Sequence, residues 1–413
     1  MTRESDLLRR SAEIRKFFRS TTSNKATVTQ FLHDVESEVT KYQAEINRLK
    51  AAIYALQHKR DSLKRTAEVY KSLLSPIHNV PSEILTMIFT IACERNVLSS
   101  STLPNALRLS MVCGRWRDIV FSTPSLWATI EVDFGTWTKD FHVLNQLSEL
   151  FIKQSKSSSL RLFLTFPGDD FSKSVSQRGG ARPTLRSFVE HCRRWEHMSL
   201  TIEPSRFPWS IFEPIRGRLP LLRSLALFKV GSLTRTQRSW HQPFTIFEAS
   251  AALRVLEISP ELFDLQKKEV SLPWSRIETL RLHRAFNATG FSLVSLCTAV
   301  QRLQMHEVGG VAGDGNDYSG HLIRSGVETL DIVKALGQYD VDGVLKHTTL
   351  SGLSSLKISG RREYIKRDRW PAWDNTTSKT FLHRSPSTIT WLHLKALPIT
   401  DTQTLLAQSD PHN

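Results

Sequence analysis

The chain has 413 residues, 40% hydrophobic and 23% charged, which is too long for one small core and points to two or three folded units. No apolar run reaches the roughly 18–20 residues that span a bilayer, and the first twenty residues lack the apolar core of a secretory signal. Net charge is +15: residues 1–74 hold 15 Lys/Arg against 9 Asp/Glu, and residues 75–134 hold 4 against 5. The excess is therefore diffuse and absent from the middle, which suits solubility or a weakly acidic partner and is not by itself a nucleic-acid footprint.

Residues 1–27 are polar and Ser/Thr-rich and are expected to form a disordered tail, with a short helix over 5–18. Glu4, Asp6 and Glu13 there oppose a transit-peptide reading. A heptad pattern follows over 28–74. Val28, Leu32, Val35, Val39, Tyr42, Ile46, Leu49, Ile53, Leu56, Leu63, Tyr70 and Leu74 alternate at spacings of four and three, and no Pro or Gly interrupts 26–75. The spacing predicts one long helix. Its stripe either packs on its own protein or pairs with a second chain. Arg60 and Ala67 weaken the seam, so a homodimer would rest on residues 28–56. Ser75-Pro76 ends the helix.

A compact stretch, 75–134, comes next. Pro81 suits a helix start and Glu83 complements the positive helix end. Ile84, Leu85, Ile88, Ile91 and Ala92 make an apolar stripe, with Met87 and Phe89 outside it. A second helical element is read over Leu107–Phe121, closed by Thr123-Pro124-Ser125-Leu126-Trp127. So small a unit cannot bury every apolar face it carries, and the remainder marks a protein partner.

From about residue 156 another pattern recurs, apolar at i, i+3 and i+5. Trp195/Met198/Leu200, Leu222/Leu225/Leu227, Leu253/Leu256/Ile258 and Ile277/Leu280/Leu282 are four copies. Val300/Leu303/Met305, Val327/Leu330/Ile332, Leu353/Leu356/Ile358 and Ile389/Leu392/Leu394 are four more, with a looser copy at Leu160/Leu162/Leu164. Each reads as a short strand, and strands at this spacing suggest a solenoid.

Two loops stand out, GGVAGDGNDYSG (309–320) and RREYIKRDRWPAW (361–373). The first fits neither a phosphate loop nor a calcium loop and reads as an insertion. The second reads as a solvated loop with anchoring tryptophans, against a nucleic-acid or acidic-peptide alternative. Arg281 and Lys357 on a strand face could meet phosphate, with plain solvent exposure the competing account. Cys93, Cys113, Cys192 and Cys297 form no CxxC pair, which points to a reducing compartment, cytoplasmic or nuclear. No HExxH, GxSxG, CxxC or phosphate-loop motif occurs, so no enzyme, cofactor or metal is expected.

Three motifs resemble the F-box in its order: Val80-Pro81-Ser82-Glu83-Ile84-Leu85-Thr86-Met87-Ile88-Phe89, then Val112-Cys113-Gly114-Arg115-Trp116, then Pro124-Ser125-Leu126-Trp127. Val80 replaces a leucine, and Gly114 departs from the usual basic residue. A heptad helix before the SPIxxVPxEIL run is also similar to a large fungal F-box family. The repeats over 160–395 resemble leucine-rich repeats, LxxLxL, without the Asn or Cys three residues later, which predicts an uneven arc.

The resemblance implies a non-enzymatic substrate receptor. Its F-box would bind a Skp1-like adaptor, and through it a cullin–RING ubiquitin ligase, while the repeats hold an unknown target protein. By motif position it places Pro81, Ile84, Leu85, Ile88, Phe89, Val112, Cys113 and Trp116 at the adaptor contact; between Met87 and Phe89 the motif match favours Phe89 near the partner, while helical geometry alone does not choose. Leu126 and Trp127 fall either there or in the module's own core. The expected architecture is a long helix (28–74), a small three-helix F-box (75–134), an α/β leucine-rich-repeat-like solenoid (156–400) and a tail (401–413). The competing reading is a non-catalytic coiled-coil scaffold without ligase function.

Overall fold

The structure is a computed structural model. It describes residues 9, 12, 15, 16, 25–138, 140–166, 181–203, 207, 209–229, 244–260, 270–283, 293–306, 323–335, 338–360, 375–385 and 389–395. Residues 9, 12, 15 and 16 are helical, within the helix expected over 5–18; the other residues up to 24, the 401–413 tail, and the 309–320 and 361–373 loops lie outside the described residues. The chain divides into two units, 1–81 and 82–413.

The described residues of the first unit include the long helix α1 (Lys25–Leu73), followed by a 3-10 turn at Pro76–Asn79. At 49 residues it runs about 73 Å at 1.5 Å per residue. Lys41–Glu38 and Arg48–Glu45 pairs at i, i+3 lace its surface. Such exposed pairs are screened by solvent and add little to stability.

The second unit opens with α2 (Ser82–Ala92), β1 (Asn96–Leu98), α3 (Asn105–Ser110), α4 (Gly114–Ser122) and β2 (Thr129–Asp133). It continues with α5 (Phe141–Gln154), β3 (Leu160–Thr165), α6 (Ala181–Glu190), β4 (Trp195–Ile202), β5 (Ser224–Lys229), β6 (Val255–Ile258), β7 (Thr279–His283) and β8 (Arg302–His306). Then come β9 (Ile323–Ser325), β10 (Thr329–Ala335), α7 (Gln338–His347), β11 (Thr348–Leu350), β12 (Ser355–Gly360), α8 (Asn375–Arg384) and β13 (Trp391–Lys395). Eleven strands form an open sheet in chain order, from β1 through β8 and on to β10, β12 and β13; every pair is parallel. Strands β9 and β11 make a separate two-stranded parallel sheet.

The eight apolar triplets land one per strand, from β4 to β13. Their i+3 residues pair in register from strand to strand: Met198 with Leu225, Leu225 with Leu256, Leu256 with Leu280, and Leu280 with Leu303. The i+5 residues form a second row beside them, and Leu200, Leu227, Ile258 and Leu282 are fully buried. Each buried leucine contributes about 1.5–3 kcal/mol from water exclusion.

The turns entering the strands share one backbone hydrogen-bond pattern. The Arg254 carbonyl accepts from the N–H groups of Glu278 and Thr279, the Glu278 carbonyl from Gln301 and Arg302, and the Gln301 carbonyl from Glu328 and Thr329. This repeated two-donor clamp fixes register in repeats that lack the polar side chain usual after the strand. Of the positions where that side chain is missing, Ala335 ends β10, while Val230, Glu261, Ala285, Val308, Arg361 and Leu397 lie outside the described residues.

Candidate functional site

In the first 50 residues of the second unit, α2, α3 and α4 enclose a small core. Within α2, Leu85 and Phe89 lie four residues apart and so share one face; they are 0% and 1% exposed. Phe89 packs on the Trp116 ring at 4.7 Å, tilted by 57°. Trp127 is fully buried, its Nε1–H donates to the Val120 carbonyl at 2.9 Å, and its ring meets Phe151 of α5 edge-on at 5.0 Å. Leu126 is buried beside it. Of the two alternatives for Leu126 and Trp127, the core is the one observed.

The opposite side of α2 is apolar and bare. Ile84, Met87, Ile88 and Ile91 are 45%, 64%, 47% and 76% exposed. Met111 and Val112 are exposed too, at the break between α3 and α4.

That break corrects the single helical element expected over 107–121. Cys113 is fully extended, at φ −158° and ψ 171°, and α4 restarts at Gly114. The Arg117 Nε bridges the gap by donating to the Ser110 carbonyl at 3.1 Å. The break turns Met111 and Val112 outward, whereas one continuous helix would carry Val112 on the stripe with Leu109 and Trp116.

The motif-predicted contact residues thus separate. Ile84, Ile88 and Val112 lie on the bare surface, Cys113 and Trp116 are half-buried, and Pro81, at the end of the first unit, is exposed. Leu85 and Phe89 lie inside. The expectation that Phe89 rather than Met87 points outward is reversed, because Phe89 follows Leu85 by one helical turn and Met87 does not. Met87, Ile91 and Met111 are the exposed neighbours that motif position left out.

The loop between α2 and α3 holds a residue the sequence reading missed. Asn96 is fully buried. Its amide donates to the Leu126 carbonyl at 2.8 Å and the Thr129 carbonyl at 3.1 Å, and its side-chain oxygen accepts from the Ala106 N–H at 3.0 Å. One side chain thereby ties α3 and the Pro124–Trp127 turn to β1, the first strand of the sheet. Asn96, Val97 and Leu98 pair in parallel with Ile130, Glu131 and Val132 of β2, so the helical module and the sheet share backbone hydrogen bonds. Burial pushes the thiol of neighbouring Cys93 up to about 11, which keeps it protonated and inert at neutral pH.

A second surface lies on the polar face of the sheet. Glu257 on β6 meets His283 at 2.7 Å and Arg281 at 3.4 Å, both on β7, and Arg281 donates to Gln304 of β8 at 2.8 Å. The His283 and His306 rings stack at 4.7 Å. Burial alone would push the Glu257 carboxyl up, but the hydrogen bonds and charges of His283 and Arg281 hold it below its usual value. Burial lowers the His306 pKa, with the His283 charge adding to it. Farther along, Lys357 reaches Asp331 at 3.5 Å. Arg281 and Lys357, read from sequence as phosphate-facing candidates, are both engaged by carboxylates on neighbouring strands. Among the described residues, no group of three or more His, Cys, Asp or Glu side chains could hold a metal ion, and no helix is long and apolar enough to cross a membrane.

Residues 77–132 match the family model described as F-box-like. That span covers α2, α3, α4 and most of β2, the strand with which the sheet continues. No curated protein matches the chain.

Proposed function

We propose that the chain is the substrate-recognition subunit of a Skp1–cullin–F-box type ubiquitin ligase, acting in the cytoplasm or nucleus. Its F-box-like domain binds a Skp1-like adaptor, and its sheet domain binds the target protein. The carrying observation is the bare apolar face of α2, with Met111 and Val112 beside it, inside the family match. In an otherwise well-packed module, such a face is a binding surface for another protein. Direct contact falls to Ile84, Ile88 and Val112 together with Met87, Ile91 and Met111. Pro81 precedes α2, while Leu85, Phe89, Cys113 and Trp116 shape the face from behind or at its margin. The role is one of proximity: the chain brings its target to chemistry that happens on other chains.

The sheet domain is read as an irregular leucine-rich-repeat-like solenoid, supported by the in-register triplets and the clamped turns. The division into a 28–74 helix, a 75–134 F-box and a 156–400 repeat region belongs to the same reading. Target binding falls to the polar sheet face around Glu257, Arg281 and His283, where neighbouring repeats present alternating charges.

The test is capture of a recombinant Skp1-type adaptor by the full chain. Ile84→Asp with Ile88→Asp places two charges on the outer face and leaves Leu85 and Phe89 in place. Adaptor affinity is expected to fall at least about tenfold with an unchanged melting temperature. Undiminished capture by this variant would overturn the assignment.

A further inference from the structure

The heptad seam of α1 carries an orientation code in its flanks. Leu32, Val39, Ile46 and Ile53 occupy a positions, and Val35, Tyr42, Leu49 and Leu56 occupy d positions. From Val39 to Leu56 the seam residues are 44–68% exposed. These eight positions form a continuous apolar a/d seam. The flanking charges are segregated along the helix: Glu36, Glu38 and Glu45 sit at e or g in the N-terminal half, and Lys50, Lys59 and Lys64 follow toward the C-terminus.

In a parallel pair each g residue meets the e residue of the next heptad on its partner. Glu45 would then meet Lys50, but Lys59 would meet Lys64, and Arg60 at an a position would meet its own copy in the seam. An antiparallel pair instead sets g against g and e against e. The alignment that places Ile46 opposite Leu56 also places Leu49 opposite Ile53, Val39 opposite Leu63 and Val35 opposite Ala67. In that alignment Glu45 lies beside Lys59 and Glu36 beside Lys64, each twice by two-fold symmetry. Lys50 against its own copy is the one opposing pair. Arg60 faces the Tyr42 ring, a partner for a guanidinium, and the two weak seam positions are matched.

We propose that α1 docks a second copy of this chain as an antiparallel coiled coil centred near Ala51. The occupant is a second copy because the helix is charge-complementary to its own reverse. Glu45, which already accepts from Arg48 at 2.8 Å within its own helix, becomes shared between Arg48 and the Lys59 of the other copy. Pairing through 28–74 covers the whole seam rather than the 28–56 portion that a parallel pair would use. The proposal is independent of adaptor binding and fails or stands without it.

The test is sedimentation equilibrium of the full chain, which is expected to show twice the chain mass. Lys59→Glu with Lys64→Glu turns four attractive flank contacts repulsive and is expected to raise the dimer dissociation constant about tenfold to a hundredfold. Adding Glu36→Lys and Glu45→Lys is expected to restore it. In a parallel pair the double reversal merely exchanges Lys–Lys for Glu–Glu and leaves the constant unchanged. An unchanged constant, a monomeric parent chain, or a fourfold variant that fails to recover would each overturn the proposal.

Discussion

Helix α1 and the sheet are built from the same aliphatic residues, yet those residues meet opposite fates. Ile46, Leu49, Ile53 and Leu56 on α1 are about half exposed or more, while Leu225, Leu256, Leu280 and Leu303 in the sheet are fully buried. The difference lies in where the matching surface comes from. A strand finds its neighbour in the next repeat of the same chain, so each i+3 leucine is covered by the one before and the one after. Among the described residues of its unit, the heptad stripe of α1 has no such neighbour. The bare face of α2 is a third case: one side of that helix is enclosed by α3 and α4, and the other side is apolar and exposed.

Matched truncations break this contrast most directly. Leu280→Ala removes a fully buried ladder residue and is expected to destabilise the chain by about 3–4 kcal/mol. Ile53→Ala on α1 is expected to move the unfolding of the sheet by less than about 0.5 kcal/mol. Denaturant titration followed by tryptophan fluorescence reads both; equal losses would erase the distinction between the two regions.

Asn96 offers the next largest effect, where the covered side begins. Asn96→Leu keeps the branching of the side chain but strands the Leu126 and Thr129 carbonyls and the Ala106 N–H. Burying these groups unpaired is expected to cost about 2–4 kcal/mol in chemical denaturation. A cost under about 0.5 kcal/mol would mean that the module and the first strand hold together without it.

These residues also show how far the sequence could be read. The triplets located eight strands because a core ladder repeats the same side-chain period in every repeat, and that period survives irregular loops. The long helix was legible for the same reason. β1 was not: it is three residues, Asn-Val-Leu, in a Ser-rich stretch, and it becomes a strand only because β2 is there to pair with it. The break at Cys113 was hidden because Leu109, Val112 and Trp116 keep helical spacing across it. Helix geometry splits the apolar residues of α2 into two sets without saying which one is enclosed. Leu85 and Phe89 stand at i and i+4, while Ile84, Ile88 and Ile91 share the other face, and helix geometry alone separates the two sets. Motif position grouped them together because it records which residues recur in the module, whether they build it or face its partner.

The outer face of α2 carries the central claim, and amide exchange of the full chain with and without a Skp1-type adaptor tests it most directly. Exchange is expected to slow across 82–92 and around 111–117, with β6, β7 and β8 unchanged. Slowed exchange on the polar strands around Glu257 and His283, with 82–92 unaltered, would contradict it.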